Sequence, residues 1–343
     1  MEKLAENRSG RILELDLLRG IAIILMVTGH SILVHPVDFT TVPWCQALHN
    51  WIYSFHMELF FFISGAVYHC SKYRTYILNK IDRLIVPMLF VGLLAVIGHS
   101  FGGDAVNEHY TLGTGLRGLF TGDAYWFLHV LFLISAIYPI IDWIGREFKG
   151  FEVLLAIVVV VSLHFVTYPP FFRFSTVIYY LPYFIVGHLL HDSLRSGLFG
   201  SAWQWQTVAL FLSVIVYTTL LAAPVDIMVV RYAKAFAMMG TFYCLCRLFL
   251  KWYRKGDKVS ATIYGFLALC SKYSLQLYLF NGFVLVVART ILVSKLHITN
   301  PALVIPLILA ANLAVTLPVC KYVLEKTRWI GWLCGVKYRP WKS

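Results

Sequence analysis

About ten long apolar runs dominate this sequence, and each is long enough to cross a lipid bilayer as a helix. A helix rises about 1.5 Å per residue and needs roughly 20 residues to cross about 30 Å of hydrocarbon. Hydrophobic residues make up 59% of the chain and charged residues only 13%, which excludes an ordinary soluble domain. The runs are continuously apolar, whereas the strands of a membrane barrel alternate. The sequence therefore predicts an all-α integral membrane protein with about ten transmembrane helices.

The predicted spans divide the chain into three regions. Residues 1–14 are expected to form an N-terminal cytoplasmic segment, residues 15–322 the transmembrane domain, and residues 323–343 a basic cytoplasmic tail. The predicted spans are 15–34, 47–68, 81–99, 124–144, 151–168, 175–192, 205–222, 231–250, 273–293 and 302–322.

The distribution of basic residues predicts the orientation. Basic residues near the ends of spans favour the cytoplasmic side. With the N-terminus inside, 22 of the 29 basic residues lie on the inner side, six lie outside and Arg19 lies within a span. Both termini are therefore predicted to be cytoplasmic. The net charge of +12 then needs no nucleic-acid partner, although it would suit anionic membrane lipids or a polyphosphorylated cofactor.

The cysteines predict neither a disulfide framework nor a metal site. There are seven, an odd number, scattered mainly through the spans and without zinc-ligand spacing. His56-x-Glu58 is half of the H-x-E signature of zinc deaminases, but no P-C-x-x-C follows it. No metal is expected.

The first span, with the stretch RGIAIILMVTGH, carries a titratable group at each end. Arg19 and His30 are eleven residues apart, which puts them within roughly 20° of one helix face and about 16 Å apart along the axis. Asp16, one turn before Arg19, is a natural partner for it. Ionisable groups inside a membrane helix mark a functional site by default, but simple anchoring at the interface remains an alternative.

The second span, SFHMELFFFISG, places His56 and Glu58 in another very apolar helix. A buried carboxylate and a buried histidine both need partners to hold a charge. Arg, His and Glu side chains on adjacent helices would satisfy one another and form an acid–base site.

Three later motifs add further candidates. In NKIDRLIVP, Lys80 and Arg83 share a helix face and could bind a phosphate. Alternatively, they only anchor the span on the cytoplasmic side of the membrane. YWFLHVLF contributes Tyr125 and Trp126, and its His129 is expected at the membrane interface, with a place in the same cavity as the alternative. SLQLYLFNG places Asn281 near mid-membrane, where polar contacts between helices are the common explanation.

The order of these motifs resembles the membrane-bound acyltransferase-3 family, and SFHMELFFFISG is similar to its fucose 4-O-acetylase-like branch. The resemblance covers roughly residues 11–323. It implies a membrane enzyme that moves an acyl group, usually acetyl, from cytoplasmic acetyl-CoA to a hydroxyl of a glycan or a lipid-linked sugar. A bacterial inner membrane is the location that it implies.

The same resemblance assigns roles to individual residues. His30 matches the family's essential histidine and Arg19 its basic residue at the start of the first span, while Lys80 and Arg83 match two basic positions to which CoA phosphate binding is assigned. Two positions depart from the pattern. Glu58 stands where the branch more often has proline, so its role cannot be taken from the family. Asn281 stands where many members have histidine; if the family uses that histidine as a base, this protein must rely more heavily on His30.

The residues found suit this chemistry. A neutral histidine that takes the proton of a sugar hydroxyl during attack on a thioester supplies general base catalysis. His30 is the candidate base, and Glu58 is the candidate carboxylate that would stabilise its protonated form. Arg19, Tyr125, Trp126 and Asn281 are alternative donors to the oxyanion. Substrate binding is expected of four residues: His56, Tyr125, Trp126 and Asn281.

Two other classes remain open from the sequence. A secondary transporter also places polar residues in mid-membrane, but no repeated pair of interrupted segments is visible. A non-catalytic scaffold would use the same groups only to hold helices together. The sequence is compatible with a homo-oligomer and does not identify the acceptor.

Overall fold

The computed structural model describes residues 12–33, 38–101, 111–167, 171–197, 203–222 and 227–340. Within these ranges the regular structure is helical and no strand forms, apart from one isolated bridge between Leu33 and Asp38. The α-helices are α1 (Leu13–Ile32), α2 (Pro43–Tyr53), α3 (His56–Ala66), α4 (Tyr73–Lys80), α5 (Val86–Phe101), α6 (Leu112–Thr121), α7 (Trp126–Glu147), α8 (Phe151–Phe165), α9 (Phe174–Leu189), α10 (His191–Ser196), α11 (Trp203–Ala222), α12 (Met228–Tyr253), α13 (Lys258–Lys272), α14 (Ser274–Arg289), α15 (Pro301–Pro318) and α16 (Arg328–Leu333).

The helices confirm an all-α integral membrane protein. In the described ranges seven helical stretches are long and apolar enough to cross a membrane: Leu13–Ile32, Tyr73–Gly98, Leu112–Glu147, Gln204–Leu221, Met228–Tyr253, Ser274–Lys295 and Pro301–Lys326. Two shorter apolar helices, Phe151–Leu163 and Phe174–Leu189, coincide with the fifth and sixth predicted spans. The predicted second span corresponds to α2 and α3.

The second span is broken, where the sequence predicted one continuous helix over 47–68. α2 ends at Tyr53 and α3 begins at His56. Between them the Ser54 hydroxyl donates to the carbonyl of Trp51 at 2.7 Å, and Phe55 leaves the helical region with φ of −157°. A serine that bonds the preceding turn competes with the helical ladder and bends it. The break places His56 at the first position of a new helix.

The third span begins earlier than predicted and contains a π-helical turn. It runs from Tyr73 to Gly98, and residues Ile81–Ile85 form the π turn between α4 and α5. Pro87 has no N–H to donate to the carbonyl of Arg83 four residues earlier, which disfavours a regular α-helical turn there. The Val86 N–H instead bonds the carbonyl of Ile81. The turn therefore sits directly at the Lys80–Arg83 motif.

The predicted spans left residues 251–272 as a connection between the eighth and ninth spans, whereas the structure places α13 there, packed along α1. The contact is close because α1 has no side chain at Gly20, where a Cβ atom would collide with the backbone carbonyl of Leu267. α1 also contacts α3, α12, α14 and α15. Its buried residues run from Leu15 to Ile32, so α1 is the central helix of the core.

α3 and α9 pack backbone to backbone at two glycines. A Cβ at Gly65 would meet the carbonyl of Phe184, and a Cβ at Gly187 would meet the carbonyl of Phe62. Small residues of this kind let membrane helices approach closely and pack by van der Waals contact. This contact fixes α3, which carries His56 and Glu58, against α9.

We predict that Gly187→Ala lowers the stability of the folded protein by about 1–3 kcal/mol, because the added methyl group meets a backbone carbonyl that cannot rotate away. Gly265→Ala is the matched control, since Gly265 lies in α13 with nothing near its missing Cβ. That control should be neutral or slightly stabilising. Thermal unfolding in detergent compares the two variants, and equal midpoints would contradict the close packing of α3 on α9.

Candidate active site

A cavity of about 490 Å³ opens at one end of the helical bundle. We call this the basic end, because Lys80, Arg83, Lys272 and Arg339 all line the cavity there. The walls come from α1, α3, the Lys80–Leu84 turn, α7, α14 and the chain after α15. The cavity is within the size range of small-molecule sites, roughly 300–1,000 Å³.

Three predicted residues meet at this cavity. Arg19, Lys80 and Arg83 all line it, and the charge of Lys80 interacts with those of both arginines. The Lys80 ammonium also lies 5.2 Å from the centre of the Tyr76 ring. The sequence predicted Lys80 and Arg83 as one pair, and the structure adds Arg19 from the neighbouring α1.

The deeper part of the cavity is apolar and aromatic. Ile23 of α1 lines it one turn beyond Arg19. Further lining residues are Met57, Phe60, Phe127, Leu128, Leu131 and Tyr278. The Phe127 ring lies 5.5 Å from both the Phe60 and the Tyr278 rings, so these three close the inner end of the cavity. The site is thus charged at its mouth and apolar at its depth.

His30 lies seven residues beyond Ile23 on α1, which is about 10 Å farther along the helix axis. Its side chain is solvent-accessible although other groups of the bundle surround it. The His30 and Tyr53 rings meet edge to face with centroids 6.3 Å apart. His30 is therefore an accessible imidazole on the helix that carries Arg19, beyond the last residue of α1 that lines the cavity.

Tyr53 joins three histidines. Its ring stacks on His49 at 4.0 Å and meets His56 at 4.8 Å, besides its contact with His30. The charges of His30, His49 and His56 interact with one another. We call these four residues the histidine cluster. The sequence predicted that His30 lies near polar groups of the second span, and the structure brings it close to His56 but not to Glu58. His49 and Tyr53 were not predicted, although their helical spacing with His56 in HNWIYSFH could have signalled them.

The hydrogen bonds of this cluster fix one tautomer. His56 Nδ1 lies 2.8 Å from the carbonyl oxygen of Ile52, and a carbonyl can only accept. His56 therefore carries its hydrogen on Nδ1, which leaves Nε2 as an acceptor in the neutral ring. His49 Nε2 is buried and has no hydrogen-bond partner among the described residues.

Glu58 points into a group of tyrosines. The Tyr179 hydroxyl donates to its Oε1 at 3.3 Å, and the Tyr232 hydroxyl donates to the Tyr179 carbonyl at 2.6 Å. Glu58 Oε2 is buried without a partner, and in the described parts of the chain no hydrogen bond joins Glu58 to His30. The partner observed for Glu58 is thus a hydroxyl on α9.

Tyr125 and Trp126 fix the start of α7. Tyr125 adopts a left-handed conformation with φ of 50°, and its hydroxyl donates to the carbonyl of Leu279 at 3.2 Å. Trp126 stacks on Tyr180 with ring centroids 5.5 Å apart. These contacts hold Phe127 against the inner end of the cavity.

Asn281 joins two helices. The Asn312 amide donates to the Asn281 side-chain oxygen at 2.8 Å, which links α14 to α15. Both residues are buried. The observed contact is the interhelical hydrogen bond that the sequence analysis gave as the common explanation for such amides.

Asp142, Glu152 and His188 place their potential metal-ligating atoms within 4.8 Å of one another. Each already has a hydrogen-bond partner. The Tyr138 hydroxyl lies 2.8 Å from Glu152 Oε1 and 2.7 Å from His188 Nδ1, and Asp142 accepts from Tyr68 and Arg146. The arrangement is that of a polar contact between α7, α8 and α9.

The sequence model of a family described as an acyltransferase domain matches residues 12–321. The chain belongs to the acyltransferase-3 family. It is an integral membrane acyltransferase, so the family match favours this function over the transporter and scaffold alternatives. Searches of curated proteins and of solved structures found no match. The assignment to the fucose 4-O-acetylase-like branch stays a prediction.

A double-mutant cycle tests whether Asn281 acts as a contact between helices. We predict that Asn281→Ala and Asn312→Ala are each destabilising and that their effects on thermal stability couple by about 0.6–2 kcal/mol, because each removes the partner of the other. Additive effects would contradict this role and would favour the predicted role of Asn281 in binding the acceptor.

Proposed function

We propose that this acyltransferase moves an acetyl group from acetyl-CoA to a hydroxyl of a glycan or lipid-linked sugar at a bacterial inner membrane. The observation that carries the proposal is the cavity, which is basic at Arg19, Lys80 and Arg83 and whose lining on α1 ends at Ile23, on the helix that also carries His30. The family match supplies acyl transfer. The donor and the acceptor are those that the family resemblance implies, and the residue roles are argued from the contacts of the site.

The mouth of the cavity suits the phosphates of CoA. Arg19, Lys80 and Arg83 line it together, and hydrogen bonds from charged donors to phosphate are about twice as strong as neutral ones. An arginine guanidinium is planar and can donate two parallel hydrogen bonds, whereas a lysine ammonium is a compact charge on a flexible chain. Together they can bind phosphate groups of different geometry. The apolar depth between Ile23 and Tyr278 suits the flexible arm that carries the thioester.

His30 is the proposed general base. It takes the proton of the acceptor hydroxyl while the oxygen attacks the thioester carbonyl, and collapse of the tetrahedral intermediate breaks the C–S bond. The proton passes from His30 to the departing CoA thiolate. General base catalysis of this kind contributes about 10²- to 10⁴-fold in rate. Direct transfer to the acceptor needs no acetylated protein.

His56 supports this assignment through its tautomer. With its Nδ1 hydrogen on the Ile52 carbonyl, neutral His56 offers only Nε2 as an acceptor. A hydroxyl that donates to this nitrogen would be held close to His30, so His56 serves as an acceptor-binding residue. Its position at the start of α3 depends on the break at Ser54 and Phe55.

The oxyanion donor is one of four candidates: Arg19, Tyr125, Trp126 and Asn281. Tyr125 and Asn281 already have hydrogen-bond partners in Leu279 and Asn312. Glu58, with one oxygen unpartnered, is proposed to stabilise positive charge that develops nearby. No metal is needed for this chemistry.

The orientation follows from the charges at the two ends. Basic residues concentrate on the cytoplasmic side of membrane proteins, and the basic end holds Lys80, Arg83, Lys272 and Arg339. We infer that both termini are cytoplasmic and that acetyl-CoA enters from that side. The acceptor then meets the acetyl group at the histidine cluster in the opposite half of the bundle.

Mass spectrometry of surface and lipid-linked glycans tests the proposal in cells that express each variant at equal level. We expect wild-type protein to add one acetyl group per modified sugar and His30→Ala to lose this by about 10²-fold or more, since it lacks the base. His129→Ala is the matched control, because His129 stacks on Phe172 and does not line the cavity. Equal acetylation by wild type and His30→Ala would contradict the role of His30.

A further inference from the structure

The chain after α15 folds back against the basic end. Residues 325–339, which we call the C-terminal segment, include α16 and begin four residues after the family match ends at 321. The sequence analysis treated this region as a basic tail. Five of its residues line the cavity: Glu325, Gly335, Val336, Lys337 and Arg339.

The C-terminal segment is held in a defined position. The Gln276 amide donates to the carbonyl of Cys334 at 2.9 Å, and the Arg339 N–H donates to the carbonyl of Glu325 at 2.7 Å. Gly335 has a left-handed φ of 71° and lies where a side chain would press on Pro87. The segment is thus attached to α14 and to the start of α5, on either side of the cavity mouth.

The segment adds charge to the cavity. Together with Arg19, Lys80, Arg83 and Lys272, it brings the lining to six basic residues and a single acidic one, Glu325. Glu325 Oε1 pairs with the Lys272 ammonium at 2.6 Å and lies 3.9 Å from Arg339 Nε. One carboxylate balances one of these cations, so the cavity retains a large positive surplus. A ligand with several negative charges suits this surplus.

The basic residues form two groups on different walls. Arg19, Lys80 and Arg83 come from α1 and the third span, whereas Lys337 and Arg339 come from the C-terminal segment. Lys337 and Arg339 are exposed, as is Arg83, whereas Arg19 and Lys80 are half-buried, so the segment places its two cations in the open part of the cavity and away from Arg19 and Lys80. Coenzyme A likewise carries two phosphate groups at different distances from its thiol: the diphosphate on the pantetheine arm and, farther out, the 3′-phosphate of the ribose.

We infer that Lys337 and Arg339 of the C-terminal segment bind the 3′-phosphate of the acyl donor and that Lys80 and Arg83 bind its diphosphate. This inference rests on the proposed function, since it takes CoA as the donor. Glu325 is a positioning residue, because its ion pair with Lys272 and its proximity to Arg339 hold both cations at the mouth before the donor arrives. The donor site is incomplete without the segment beyond the family domain.

Equilibrium binding of CoA and of 3′-dephospho-CoA to purified full-length protein in detergent tests the inference. We expect wild type to bind CoA at least about tenfold more tightly than 3′-dephospho-CoA, because each hydrogen bond to a charged group strengthens binding several-fold. The Lys337→Gln/Arg339→Gln variant should lose this preference through weaker binding of CoA, with little change for 3′-dephospho-CoA. The matched control is Lys255→Gln/Lys258→Gln, which removes two exposed charges outside the cavity and should keep the preference.

The outcomes separate this inference from the proposed function. If wild type and the Lys337/Arg339 variant prefer CoA equally, the C-terminal segment does not bind the 3′-phosphate, while the donor proposal stands. If wild type binds neither ligand, the donor proposal itself is wrong. Lys337→Gln alone leaves the contact between Arg339 and Glu325 in place and provides a second variant with less risk to folding. It should lose at least about threefold of the preference, and an unchanged ratio would overturn the inference.

Discussion

The fold depends on the cost of leaving a polar group without a partner in hydrocarbon, where no water can replace a missing hydrogen bond. α1 carries both Arg19 and His30, so it has to be enclosed by other helices. Gly20 permits this by letting α13 approach α1 backbone to backbone. The polar groups of α3 and α14 meet the same condition through Tyr179 and Asn312.

The same condition creates the site. Charged residues at the basic end stay hydrated at the cavity mouth, while the aromatic rings of Phe60, Phe127 and Tyr278 close its apolar depth. His30 lies about two helical turns beyond Ile23, where the cavity lining on α1 ends. In the proposed function, a donor bound at the mouth has to reach His30 through the interior of the bundle, which would keep the thioester apart from the acceptor until the two meet.

Much of the fold could be predicted from the sequence, because hydrocarbon thickness sets the length of each apolar run. The pairing of Arg19 with the Lys80 motif was less accessible, since it depends on which helices face the same cavity. The break at Ser54 and Phe55 escaped prediction because apolar content continues through it. α13 was missed because fifteen residues with lysine at each end do not resemble a span.

The site residues also divide into those that could be predicted from the sequence and those that could not. His30 and His56 were identified because titratable groups stand out in apolar runs, and the structure brings them together around Tyr53. Glu58 was paired with His30 by chemical type alone, whereas its observed partner is Tyr179. No local pattern marks Lys337 and Arg339 as cavity residues, because their position depends on how the chain folds back after α15.

The central claim is that the donor extends from the basic mouth along α1 towards His30. A structure of the protein with bound CoA tests it most directly: the account predicts phosphates beside Lys80 and Arg83 with the thiol directed at His30, and a thiol directed away from α1 would contradict it.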